Sequence, residues 1–156
     1  MKTSLKLIIA LVLCITVGGV SGFLTASAIN DYYLQLNKPP WNPPNWIFGP
    51  VWTTLYIMMG VSLWLVWKSN YPKAIVQKAC LIFAAQLFLN FWWSIIFFNL
   101  QLPGWAFVEI ILLLTAIIYT IFEFSKISKP AAWLLIPYVS WVSFASILNY
   151  AIFSLN

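Results

Sequence analysis

KPPWNPPNWIFGPVWTTLY, residues 38–56, holds five of the chain's nine prolines (Pro39, Pro40, Pro43, Pro44, Pro50) and three tryptophans (Trp41, Trp46, Trp52). Proline fixes φ, removes a backbone donor and pushes the preceding residue out of the helical region. The first part of the stretch therefore reads as an extended, stiff, aromatic-rich loop. A helix follows at once, with Pro50 expected in its first turn, where a missing N–H costs little. Long apolar segments lie on both sides. The loop is thus expected to cap one end of a membrane bundle as a pre-ordered lid, suited to a flat apolar guest rather than a hydrated ion.

Composition supports the membrane reading. The 156 residues are 63% hydrophobic and only 7% charged, with a mean hydropathy of +0.91. A soluble domain of this length needs far more charge on its surface. One integral membrane domain over residues 1–156 is expected. The net charge of +5 comes from eight lysines and no arginine. These lysines sit at segment ends rather than along one face, which argues against nucleic acid as a partner. Cys14 and Cys80 fall inside apolar segments and read as small buried hydrophobes. The absence of histidine excludes imidazole ligation of a metal or haem. No Ser-His-Asp, Cys-His or zinc-type constellation occurs, and no cofactor is required.

Five spans follow from the apolar runs, at about 5–29, 46–67, 74–100, 103–125 and 130–153, each long enough for a bilayer core. The first imitates a signal peptide at Ala26-Ser27-Ala28, but its length favours a retained helix. Its Gly18, Gly19, Ser21 and Gly22 suit close helix packing. Pro137 is expected to kink the fifth span. Lys2, Lys6, Lys68, Lys73, Lys78, Lys126 and Lys129 fall on one side, and Lys38 alone on the other. By the positive-inside rule the N-terminus is cytoplasmic, with the proline loop and C-terminus outside.

Polar residues inside the spans need partners. Gln86, Asn90 and Ser94 recur every four residues along the third span, and two readings stand: interhelical ties or ligand contacts. Trp133, Pro137, Trp141, Ala145 and Asn149 repeat the spacing in the fifth span. A mid-helix Trp141 points to a pocket, whereas Trp64, Trp67 and Trp105 near helix ends read as interfacial anchors. Glu109 and Glu123 are expected to snorkel or to pair with lysine. The chain lacks the charged runs of a proton-driven pump and an evident inverted repeat, which weakens an ordinary transporter reading.

These motifs together resemble the TspO/MBR family, the translocator proteins or peripheral-type benzodiazepine receptors. The resemblance covers nearly the whole chain. It rests on Gly18-Gly19-x-Ser21-Gly22, on the Leu36–Pro44 segment LNKPPWNPP, and on the Phe48–Tyr56 segment FGPVWTTLY. Further along it rests on Gln86-x-x-x-Asn90-x-x-Trp93-Ser94 with Phe97-Phe98, and on the tryptophan-bearing fifth span from Trp133 to Asn149.

The resemblance implies an all-α five-helix membrane bundle, usually a homodimer, in a bacterial cell membrane. It also implies a receptor or sensor that binds porphyrins such as protoporphyrin IX, and benzodiazepine-type or isoquinoline-carboxamide drugs, under the first loop. Carried onto this chain, the pocket would use Trp41, Pro43, Pro44, Phe48 and Trp52. Asn90, Phe91 and Trp93 would come from the third span, and Trp141, Ala145 and Asn149 from the fifth. Flat rings for stacking and a few amides for orientation fit that expectation. Two alternatives accompany it: a light-dependent porphyrin-degrading enzyme using Trp52 and Trp141, and a tetrapyrrole or lipid transporter. The family's sterol-recognition pattern lacks its basic residue after Leu148-Asn149-Tyr150, which speaks against specific sterol binding. Tyr32-Tyr33 also departs from the family, where many members have tryptophan first.

Overall fold

The computed structural model describes residues 2–156. Its long helices are α1 (Thr3–Asp31), α2 (Asn45–Trp67), α3 (Lys73–Ser94) and α4 (Pro103–Ser125), followed by short α5 (Lys129–Leu134) and α6 (Ile136–Leu155). A π-helical turn, Ile95–Asn99, prolongs α3. The α5–α6 pair acts as one span, so five helical segments are long and apolar enough to cross a membrane. The fold is an all-α five-helix membrane bundle.

Proline placement explains most boundaries. Pro44 is extended (φ −56°, ψ 140°) and α2 starts immediately after it. Pro50 does not lie in the first turn, as the sequence suggests, but inside α2. The helix begins early, and the Trp46 carbonyl, four residues before Pro50, loses its usual backbone donor. Pro137 kinks the fifth span as expected, with Leu135 as a one-residue turn between α5 and α6. Ser128 caps α5 by accepting from the Ala131 N–H at 3.4 Å. The turn from α3 to α4 depends on Gln101, which adopts φ 56° before Pro103 opens α4.

The spans form a ring. α1 lies against α2 and the end of α3; α3 packs on α4, α4 on α6, and α5 closes back onto α2. In hydrocarbon, apolar side chains gain little from leaving lipid, so close packing and hydrogen bonds must hold helices together. Gly60 shows such packing: a Cβ added there would fall 3.0 Å from Leu11 Cα and 3.1 Å from the Ala10 carbonyl. Phe83 and Phe124 are fully buried and stack 5.7 Å apart at 10°, locking α3 to α4. Cys14 is buried, Cys80 is partly buried, and both are free thiols.

The carboxylates behave differently from each other. Glu123 pairs with Lys126 at 2.7 Å and with Lys78 at 3.4 Å. Glu109 neither snorkels nor pairs. It is buried, and neither carboxyl oxygen has a hydrogen-bond partner among the described residues. It lies on the inward face of α4 with Ala106, Ile110 and Leu113, so its short side chain is directed into the bundle rather than toward the headgroups.

Candidate ligand cavity

A cavity of about 360 Å³ occupies the half of the bundle next to the first loop. α1 contributes Gly18, Gly19, Ser21, Gly22, Thr25 and Ile29 to its wall, and α2 contributes Phe48, Gly49, Trp52, Thr53 and Tyr56. Trp93, Ser94, Phe97 and Phe98 come from α3 and its π turn, and Trp141, Ala145 and Asn149 from α6. The π turn matters because its extra residue redirects the chain and brings both Phe97 and Phe98 to the wall. Their rings meet edge to face at 4.8 Å. Across the cavity, Phe48 meets Trp141 edge to face at 5.9 Å, and Trp52 stacks on Tyr56 at 5.7 Å.

The floor is a hydrogen-bonded chain. The Tyr56 hydroxyl donates to Asn90 Oδ1, and Asn90 Nδ2 donates to the Tyr138 hydroxyl at 3.0 Å. The Tyr138 hydroxyl donates in turn to Gln86 Oε1 at 2.8 Å. All four residues are buried. The chain ties α2, α3 and α6, which supports the reading of the α3 stripe as interhelical ties. Gln86 and Asn90 are interhelical ties, while Ser94, one turn further, lines the cavity. A second tie lies closer to the loop. Asn149 Oδ1 accepts from the Trp93 indole N–H at 3.0 Å, and Asn149 Nδ2 donates to the Pro103 carbonyl at 2.8 Å. That leaves the Trp141 indole N–H, which is buried and has no partner among the described residues.

The loop above the cavity is fastened at several points. Asn156 Oδ1 accepts from the Asn37 N–H, and Asn156 Nδ2 donates to the Asn37 carbonyl, both at 2.9 Å. This reciprocal pair holds the loop to the end of α6. Lys38 Nζ donates to the Tyr33 and Leu36 carbonyls at 2.7 and 3.0 Å. The Tyr33 hydroxyl donates to Asn42 Oδ1 at 2.9 Å. Burial pushes the Tyr33 phenol above its ordinary range, partly offset by that hydrogen bond. The ring of Trp41 meets Phe144 edge to face at 6.0 Å, so the lid rests on α6.

Of the residues expected at the site, Phe48, Trp52, Trp93, Trp141, Ala145 and Asn149 line the cavity. Trp41, Pro43, Pro44, Asn90 and Phe91 are absent from its wall. Trp41 is half exposed on the lid, and Pro43 and Pro44 set the loop's path. Asn90 lies behind Tyr56, and Phe91 turns toward Trp92 at 5.7 Å. Sequence reasoning missed the whole α1 wall. The Gly18–Gly22 run reads as close packing, and Gly18 obeys: a Cβ there would clash with the Tyr56 ring. Gly19 and Gly22, by contrast, would place a Cβ in open space. Tyr33, Phe97 and Phe98 were also missed. No periodic signal marks a π turn, although Phe97-Phe98 beside Trp93 offered a local aromatic cluster.

The arrangement of five spans, a proline-rich lid and a tryptophan-walled cavity has close parallels in sequence. The profile of the TspO/MBR family matches residues 10–155. The chain belongs to the TspO/MBR family. It is 45% identical to the tryptophan-rich protein TspO of Chlorobaculum tepidum over 155 residues, covering 99% of this chain and 98% of the other. It is 41% identical to the Homo sapiens translocator protein over 128 residues, or 80% and 75% of the two chains. A tryptophan-rich sensory protein of Cereibacter sphaeroides is 31% identical over 127 residues, covering 81% and 78%. Family membership and five spanning segments together make this an integral membrane protein.

Proposed function

We propose that the protein is a membrane receptor or sensor that binds porphyrin-type tetrapyrroles such as protoporphyrin IX in the cavity under the first loop. Benzodiazepine-type and isoquinoline-carboxamide compounds would occupy the same space. The observation that carries this reading is the wall itself. Trp52, Trp93, Trp141, Phe48, Phe97 and Phe98 surround a cavity of about 360 Å³, in the size range of small-molecule sites. Flat rings offer stacking area at low entropic cost. The names of relatives, a translocator protein and a sensory protein, fit a receptor role. The test is a titration of purified protein with protoporphyrin IX in the dark, followed by absorbance and tryptophan quenching. Saturable binding is expected, and its absence would remove the proposal.

A second reading, light-dependent porphyrin breakdown, has its own support. Trp52 and Trp141 both reach the cavity wall, and Trp52 stacks on Tyr56, the first member of the buried tyrosine–amide chain. Indoles are readily oxidised, so a light-excited porphyrin beside them has an electron donor within contact. Trp52→Phe and Trp141→Phe should each keep most of the porphyrin affinity, because a flat apolar face remains. Slower bleaching in these variants at equal occupancy, in air, would favour the enzyme. Wild-type bleaching no faster than that of free porphyrin would dispose of it.

We also propose a bacterial cell membrane as its location, and the lysine distribution supports a cytoplasmic N-terminus. In the structure the first loop and Asn156 share one end of the bundle. A reporter active only in the cytoplasm, fused after Asn156, should therefore be silent. A homodimer belongs to the same reading, and cross-linking in native membranes tests it.

A further inference from the structure

The wall of the cavity has a gap between α1 and α2. Gly19 and Gly22 on α1, with Gly49 and Thr53 on α2, line the cavity and are exposed. A Cβ added at Gly19, Gly22 or Gly49 would meet no heavy atom within 4 Å. Deeper in the bundle the same two helices touch, with Gly60 on Leu11 and Gly18 on the Tyr56 ring. Those contacts set an antiparallel register. Continued toward the loop, it puts Gly22 level with Thr53 and Ala26 level with Gly49. The helices are closed below Gly18 and open above it.

The rim suits hydrocarbon. Thr53 Oγ1 donates to the Gly49 carbonyl, and Thr25 Oγ1 to the Ser21 carbonyl, both at 2.9 Å. The Thr53 and Thr25 hydroxyls are thus satisfied within their own helices, the condition a lipid-facing surface must meet. The outward neighbours Val20 and Phe23 are 44% and 82% exposed, so this face presents apolar side chains to the bilayer. The top, by contrast, is covered by a loop held through Asn37, Lys38 and Tyr33.

We propose that this gap is a lateral portal, and that the cavity takes its guest from the bilayer rather than from water. The guest class is then an apolar molecule dissolved in the half of the membrane next to the first loop. It would pass edge-on between two glycine-bearing helix faces while the lid stays fastened. The proposal rests on reading the cavity as a ligand site, but its test does not require porphyrin.

The protein would be reconstituted in phosphatidylcholine vesicles containing a phospholipid with a diazirine midway along one acyl chain, then irradiated and peptide-mapped. Adducts are expected on Phe23 outside and on Trp52 and Phe97 within the cavity. Gly22→Leu, which places its side chain into the gap, should lose the inner adducts and keep the one on Phe23. Gly49→Leu, approaching from α2, should do the same and serves if the first variant folds poorly. Labelling of Phe23 with no inner adduct in the wild type would overturn the portal. So would inner adducts that persist in both variants, or protection of Phe23 itself, which would mean that a second copy covers this face. Failure of protoporphyrin IX to bind the wild type would undo the receptor reading while leaving the adduct pattern to stand.

Discussion

The two halves of the bundle use the same five spans for opposite ends. In the half away from the loop, α1 and α2 press backbone to backbone at Gly60, and Met59, Phe83 and Phe124 fill the interior. In the half under the loop, glycines of the same two helices face empty space, and rings stand around a cavity. The boundary is the Tyr56–Asn90–Tyr138–Gln86 chain. The contrast teaches that glycine in a membrane helix has no fixed meaning. Gly18 and Gly22 lie four residues apart on α1, yet one permits contact and the other leaves room. What stands opposite decides, Tyr56 in one case and a divergent stretch of α2 in the other.

The sharpest test of that contrast substitutes the two glycines alike. Gly18→Leu should destabilise the protein by about 3 kcal/mol, the upper end for an overpacked site, because the Tyr56 ring cannot retreat without breaking its bond to Asn90. Gly22→Leu should change stability by less than about 0.5 kcal/mol, as expected where no neighbour is displaced. Thermal unfolding in one detergent measures both, and equal losses would break the comparison.

The floor should show the next largest effect. Asn90→Ala removes the partner of the Tyr56 hydroxyl and a donor to Tyr138, which should cost about 2 kcal/mol, the range for buried polar groups left unpaired. Combining it with Tyr138→Phe should cost less than the two single losses together, by at least about 0.5 kcal/mol, since both residues act in one network. Strict additivity would show that the chain does not work as a unit.

In the open half, Ala145→Phe should leave stability nearly intact and weaken protoporphyrin IX binding about tenfold, equivalent to about 1.4 kcal/mol. Ala145 lines the cavity and is 8% exposed, so the larger ring would occupy the guest's space. Isothermal titration or quenching reads this directly, and unchanged affinity would move the guest elsewhere. The smallest effect belongs to the lid. Asn156→Ala should cost under about 1 kcal/mol, as for exposed hydrogen bonds, yet speed amide exchange at Asn37, whose N–H it releases. Unchanged exchange there would show that the clasp does not hold the loop.

The architecture was legible in the sequence because each cue is local. Apolar runs long enough for a bilayer mark the spans, and proline marks where a regular helix starts or bends: Pro44 before α2, Pro103 opening α4, Pro137 kinking the fifth span. Tryptophans at spacings matching a known family pointed to a cavity, and Trp52 and Trp141 do stand on its wall. Tertiary structure decided the rest, because it depends on what faces what. Asn90 and Ser94 belong to one polar stripe, but Tyr56 covers the first and leaves the second on the wall. Glu109 could as readily have reached the headgroups as the interior; the inward face of α4 buries it. The π turn that presents Phe97 and Phe98, and the divergence of α1 from α2 above Gly18, arise from packing between helices, which no spacing within one helix encodes.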